Sequence, residues 1–411
     1  MRRARRLASH PASTPIIVQV IHGQPLIMHN WLLPEYIEDM LPAQALRFER
    51  VRRQLLDWFH GCGYQLVVPP LLEYLPSLLS GTGRDMDIKT FKVVDQLSGH
   101  LMGLRADITP QAARIDAHLL NRQGVVRLCY AGSVLHALPD GQMQTREPLQ
   151  IGAELFGHDG IESDVEIQSL MLKALQLAGV KSVQLDLGHV AIFHSLVERA
   201  AVSPELEMEL FQAMQGKDIP GLVELTASLD QVSREALRLL PRLYGGVETL
   251  EAARRHLPDT PEIGKALDDL RTIGSHIQGS APNLCFDLAE LRGYYYHSGV
   301  VFAAYASGWA NAVALGGRYD KVGKTFGRSR PATGFSMDLR AVLGAQPTPP
   351  LPKAILAPYV QDPELQDKIT LLRVQGEVVV ADLPGHEMSR EELNYDRVLV
   401  QGDGGWAVVK V

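Results

Sequence analysis

Gln150 and Glu154 stand four residues apart around Gly152, in a stretch that alternates like a strand. A strand repeats every two residues, so both side chains leave the same face. Paired polar groups on one face of a core strand are costly unless a ligand or a hydrogen-bond network satisfies them. That pair is read as a binding pair. The run Leu291-Arg-Gly-Tyr-Tyr-Tyr-His297 is the second candidate. Arg292, followed by a glycine and three tyrosines, fits a ligand pocket better than an isolated ion pair. Of Tyr294–Tyr296, at least one is expected to be strand packing. Arg105 fits a salt bridge as well as a ligand contact. Asp186, Asp287 and His189 have no chemical partner in the pattern and are read as structural. The glycine-rich strings are not phosphate loops, since none continues into Gly-Lys-Ser/Thr. Cys62, Cys129 and Cys285 lack CxxC spacing, which predicts no metal site, no disulfide framework and a reducing compartment.

These residues need a scaffold. Leu46, Phe48, Val51, Leu55 and Phe59 recur at helical spacing, predicting a helix over 43–59. Strands are predicted over 64–72, 90–94, 100–104, 125–130, 149–156 and 182–187, and helices over 110–120 and 164–177. Residues 190–280 turn Leu-, Ala- and Glu-rich and read as an all-helical insertion. Strand signals return over 284–288, 299–305 and 309–315, and a last core helix is expected over 337–343. The segment 346–352 is a proline-rich linker. A small α/β tail over 351–411 follows, with strands over 354–358 and 377–381, a helix over 362–375 and a closing hairpin at Gly404-Gly405. This order predicts an α+β core built on an antiparallel sheet flanked by helices.

The formal net charge of −7 argues against a chain that grips a phosphate backbone. No apolar run reaches membrane-spanning length. Residues 1–27 carry Arg2, Arg3, Arg5 and Arg6 and no acidic residue. They are expected to be a disordered extension or an early start, with Met28 the true first residue and a basic targeting leader the alternative.

Five strings, in order, resemble the histidyl-tRNA synthetase family of class II synthetases. Gly63-Tyr-Gln-Leu-Val-Val-Pro-Pro70 resembles the dimer-forming first motif. Leu104-Arg-Ala-Asp-Ile-Thr109, Gln150-Ile-Gly-Ala-Glu-Leu-Phe-Gly157, Leu291–His297 and Gly316-Gly-Arg-Tyr-Asp320 are similar to the family's pocket strings. The resemblance implies a core over residues 28–345 and a histidine pocket made by Asp107, Thr109, Gln150, Glu154, Arg292, Tyr296, His297 and Tyr319. Arg292 would lie near the ligand carboxylate, and His297 stands where a second tyrosine is usual. Carboxylates for an ammonium, with amide and hydroxyl groups around an imidazole, suit that ligand.

The departures fall on the ATP side. Counting from Tyr130-Ala-Gly132, the second-motif arginine and glutamate are replaced by His136 and Leu138. The third-motif arginine is Ala341. Neither replacement offers an arginine's bidentate donors. Losing one preorganised donor of this kind costs roughly 2.7–4 kcal/mol in the transition state. Arg340 is one position early, about 100° round a helix. The tail is acidic, with six Lys/Arg against ten Asp/Glu over 351–411, a net of −4, which is the wrong sign for an anticodon binder.

Strings such as Arg127-Leu-Cys-Tyr-Ala-Gly-Ser-Val-Leu135 and Gly327-Arg-Ser-Arg-Pro-Ala-Thr-Gly-Phe335 are similar to the non-catalytic regulatory subunits that partner short-form ATP phosphoribosyltransferase. That resemblance implies a cytoplasmic homodimer without cofactor or tRNA. It would join the short-form catalytic subunit and take histidine as effector. The competing readings are a working histidyl-tRNA synthetase and an enzyme that activates an amino acid for another acceptor.

Overall fold

The computed structural model describes residues 32–80, 84–139, 144–281, 283–385 and 387–411. The expectations for residues 1–27 fall outside these. The first helix, Pro42–Gly61, opens with proline, whose missing N–H costs nothing there. It buries Leu55 and Phe59, and the Phe59 ring meets Phe335 edge-on at 6.0 Å.

Among the described residues sixteen strands follow in chain order: β1 (Gln65–Leu66), β2 (Leu72–Tyr74), β3 (Phe91–Val94), β4 (Leu101–Leu104), β5 (Val126–Ser133), β6 (Leu149–Phe156), β7 (Gln184–His189), β8 (Tyr244–Gly245), β9 (Asn283–Asp287), β10 (Val300–Tyr305), β11 (Ala314–Arg318), β12 (Ala332–Asp338), β13 (Ala354–Pro358), β14 (Val379–Asp382), β15 (Tyr395–Gly402) and β16 (Gly405–Lys410). Nine build one sheet in the order β1-β5-β6-β12-β11-β10-β7-β9-β8. Only the β1/β5 and β7/β9 pairs in it are parallel, so the antiparallel α+β reading holds. β2, β4 and β3 form a small sheet, and β14-β13-β15-β16 forms that of the tail.

Helix Ile161–Leu177 packs on the large sheet and carries the buried Asp164, which takes Arg318 Nη2 at 2.7 Å and Nε at 3.1 Å. The pair fixes the end of β11 beside Tyr319. Residues 190–280 are helical as expected, with helices Val190–Arg199, Pro204–Gln215, Ile219–Leu225, Gln231–Leu239, Glu248–His256 and Pro261–Ile277, interrupted by the short β8. Arg47 of the first helix donates to the carbonyls of Leu343, Gln346 and Pro347, which pins the exit from the core.

Several boundaries differ from expectation. The strand expected over 64–72 shrinks to β1, because Pro69 and Pro70 cannot donate to a ladder. The 309–315 strand begins only at Ala314, since Trp309 instead donates Nε1 to the Ala341 carbonyl. The helix expected from 337 begins at Leu339. Met337 ends β12, and Asp338 caps the helix by accepting from Arg340 N.

Candidate functional site

The pocket rests on β6. Glu154 is 1% exposed. Tyr130 donates to its Oε1 at 2.8 Å and Tyr319 to its Oε2 at 2.5 Å. Burial pushes this carboxyl up to about 8, against the lowering effect of the two tyrosine hydroxyls. Gln150, on the same face of β6, accepts Ile108 N at 2.8 Å and donates Nε2 to Asp107 Oδ1 at 2.6 Å. The same Asp107 oxygen accepts Thr109 N at 3.0 Å, and the Thr109 hydroxyl lies 3.1 Å from that of Tyr130. Seven of the eight sequence-predicted residues except Arg292 are thus accounted for around one patch of sheet: Asp107, Thr109, Gln150, Glu154 and Tyr319 directly, with Tyr296 and His297 from the turn above it.

The Tyr296 ring lies tilted against that of Tyr319, with centroids 5.1 Å apart. Its hydroxyl is buried and has no hydrogen-bond partner among the described residues. Burial, then the charges of Asp107 and Glu154, hold that phenol well above its usual value. His297 meets Tyr296 edge-on, and its Nδ1 lies 3.2 Å from the Arg318 carbonyl. A carbonyl only accepts, so Nδ1 carries the proton. Burial pushes the imidazole down to about 4, so this ring is neutral and does not offset the pocket's carboxylates.

Arg292 goes elsewhere: the structure places its guanidinium apart from the other seven residues. Its Nη2 donates to the Tyr305 hydroxyl at 2.8 Å and lies 3.4 Å from Glu290 Oε2. Glu290 also accepts Arg292 N at 2.9 Å, so one carboxylate holds both ends of the residue. The guanidinium lines a separate cavity of about 650 Å³ with Asp186, Lys217 and Asp287. No cation among the described residues pairs with Asp107 or Glu154. Arg105 is structural, with Nη1 on the Pro69 carbonyl at 2.7 Å and Nε on that of Ser133 at 3.0 Å.

At the positions that would grip phosphate, His136 is buried and its Nε2 lies 3.0 Å from the Ala106 carbonyl. Leu138 is 58% exposed. Ala341 sits inside helix Leu339–Gly344. Arg340 pairs with Glu147 at 3.6 Å and does not replace the missing arginine.

Sequence reasoning missed Tyr130, which served only to count residues. The signal was Gly152: Tyr130 lies opposite it in the β5/β6 register, and a β-carbon at 152 would stand 2.7 Å from the tyrosine hydroxyl. Among the described residues no cluster of three metal-ligating side chains exists, and no helix is long and apolar enough to cross a membrane.

The sheet and pocket define a class II synthetase-like protein: the sequence pattern of the family described as Histidyl-tRNA synthetase matches residues 36–342. That of the "ATP phosphoribosyltransferase subunit HisZ C-terminal domain" matches residues 352–409. The chain is 59% identical to an ATP phosphoribosyltransferase regulatory subunit of Ralstonia nicotianae, over 93% of this chain and 98% of that one. It is 58% identical to the protein of the same name from Nitrosospira multiformis, with the same coverage of each. The chain belongs to the ATP phosphoribosyltransferase regulatory subunit family. Among solved structures it is similar to an ATP phosphoribosyltransferase regulatory subunit/histidyl-tRNA synthetase from Bacillus halodurans, with a TM-score of 0.79, 26% identity and coverage of 90% of this chain and 98% of that one. A histidyl-tRNA synthetase from Nostoc shares the fold, with a TM-score of 0.74 at 15% identity over 93% of this chain and 97% of that one.

Proposed function

We propose that this chain is a non-catalytic regulatory subunit of ATP phosphoribosyltransferase that binds histidine in the β6 pocket and conveys its presence to a short-form catalytic partner. The observation that carries the reading is a buried cluster of acceptors at β6 in which Asp107 and Glu154 face no protein cation among the described residues; a cationic ligand there would draw off the proton that burial keeps on Glu154. Such a site favours a cationic ligand with several donors, and histidine has an ammonium and an imidazole N–H. The loss of phosphate-gripping groups at His136, Leu138 and Ala341 supports binding without chemistry. The acidic tail supports a chain that does not bind tRNA.

A homodimer is the proposed building block. β1 is the outermost strand of the large sheet, and Leu66 and Val68 beside it are 53% and 82% exposed. An unpaired apolar edge calls for a partner, and a two-fold dimer covers both copies of it at once. The three thiols are free, which suits the reducing cytoplasm.

The test is direct. Calorimetry on the purified chain should show histidine binding that Glu154→Gln weakens. Label should not exchange between pyrophosphate and ATP when histidine is added. Exchange at a synthetase-like rate would sink the non-catalytic reading.

A further inference from the structure

The connection between β9 and β10, residues 288–299, touches three walls of the molecule. Tyr296 faces the pocket: its ring lies against Tyr319 with centroids 5.1 Å apart, and its buried hydroxyl has no hydrogen-bond partner among the described residues. Two residues earlier, Tyr294 faces the helical insertion. Its hydroxyl donates to Glu207 Oε1 at 2.8 Å and lies 3.1 Å from His194 Nδ1. Its ring packs edge-on against Phe193 at 5.2 Å and stacks on Phe211 at 5.5 Å. Phe193 and His194 belong to helix Val190–Arg199, and Glu207 and Phe211 to helix Pro204–Gln215. The third wall is β10, to which Arg292 is tied through Tyr305.

The turn is short and internally braced. Tyr294 N donates to Leu291 O at 2.9 Å, while Tyr296 N and His297 N both donate to Gly293 O at 2.8 Å. The bonds make 291–297 one short braced turn, so a backbone shift at 296 is transmitted to 294. Coupling also requires that the ligand interact differently with the two states of the element. The Tyr296 hydroxyl supplies that difference, because it gains a hydrogen bond only when something enters the pocket.

We propose that this turn is a relay: Tyr296 reads occupancy of the pocket, and Tyr294 passes it to the first two helices of the insertion. The relay rests on the histidine reading above. It makes Tyr294 a positioning residue that need not touch the ligand, and it makes the helical insertion the surface whose dynamics respond to the effector.

Hydrogen exchange on the full chain, read by mass spectrometry with and without L-histidine, tests both layers separately. Histidine should slow exchange in β6 and in residues 288–299, and also in helices Val190–Arg199 and Pro204–Gln215, by roughly fivefold or more, the low end of common coupling strengths. Tyr294→Phe removes one hydroxyl and keeps the ring. It should preserve protection in β6 and lose most of it in the two helices. Glu207→Ala, at the half-buried other end of the contact, removes the acceptor, should act in the same direction and guards against a folding defect in the first variant. Protection confined to β6 and the turn in the natural chain overturns the relay while leaving the pocket reading intact. So does full helix protection in both variants. No protection anywhere removes the histidine reading, and the relay with it.

Discussion

Glu154 lies flat over Gly334. The two are directly opposed in the antiparallel β6/β12 register, and a β-carbon at position 334 would collide with the carboxylate's Oε2, the oxygen that takes the Tyr319 hydroxyl. The pocket floor therefore depends on an absent side chain one strand away.

The first prediction follows from that contact. Gly334→Ala forces Glu154 off its two tyrosine partners or bends β12, an overpacking penalty of about 1–3 kcal/mol. Histidine affinity should fall and the melting temperature should drop, both measurable by calorimetry. Unchanged histidine affinity would separate Glu154 from the ligand.

pH should act through two buried groups of opposite sign. Glu154 is raised from 4.5 to about 8, so the folded chain holds a proton that the unfolded chain releases between those values. Its contribution to stability is present below 4.5 and is lost as pH rises to about 8. His297 is lowered from 6.5 to about 4, so its contribution is present above 6.5 and is lost as pH falls toward 4. The two slopes oppose each other between 4.5 and 6.5 and leave a decline of up to about 1.4 kcal/mol per pH unit between 6.5 and 8. In denaturant titrations of the ligand-free chain, Glu154→Gln should abolish that decline and expose the His297 rise below 6.5.

Arg292 offers a contrast. Because Glu290 and Tyr305 hold its guanidinium outside the pocket, Arg292→Ala should change histidine affinity of the isolated chain by no more than about 0.5 kcal/mol, the range of substitutions away from a site. A large loss in calorimetry would mean that the arginine swings in when the ligand binds.

The dimer proposal makes its own demand. Val68→Asp places a charge on the exposed apolar edge next to β1. Burying an unpaired charge is costly, so light scattering should show monomer at concentrations where the natural chain is dimeric. A stable dimer in the variant would move the interface elsewhere.

How much of this was legible in the sequence depended on the range of the interactions involved. Gln150 and Glu154 could be placed on one face because strand alternation is local, and Gly152 between them carried the hint of Tyr130. The helix over 43–59 was equally local. Arg292 was not legible, since its direction is set by Tyr305, thirteen residues on and across a turn. β12 escaped notice although Phe335 and Met337 alternate with Gly334, Ser336 and Asp338, because the stretch is short and its end reads as the start of a helix; pairing to β6 and β11 on both sides makes it a strand. The long strand expected at 64–72 failed for the opposite reason. Its apolar run looks like a core strand, yet two prolines and an open edge confine pairing to Gln65 and Leu66.

The Arg47 contacts carry one more consequence. They secure the chain as far as Pro347, and the tail takes hold of it again at Leu351, whose carbonyl accepts from Asn394 Nδ2, which leaves Thr348 to Pro350 as the tether. At about 3.1 Å per residue for a proline-rich segment, that is roughly 9 Å of semi-rigid reach. A partner held by the core would meet the tail at an effective concentration in the millimolar range. Even a feeble affinity of the tail for that partner would then be converted into avidity.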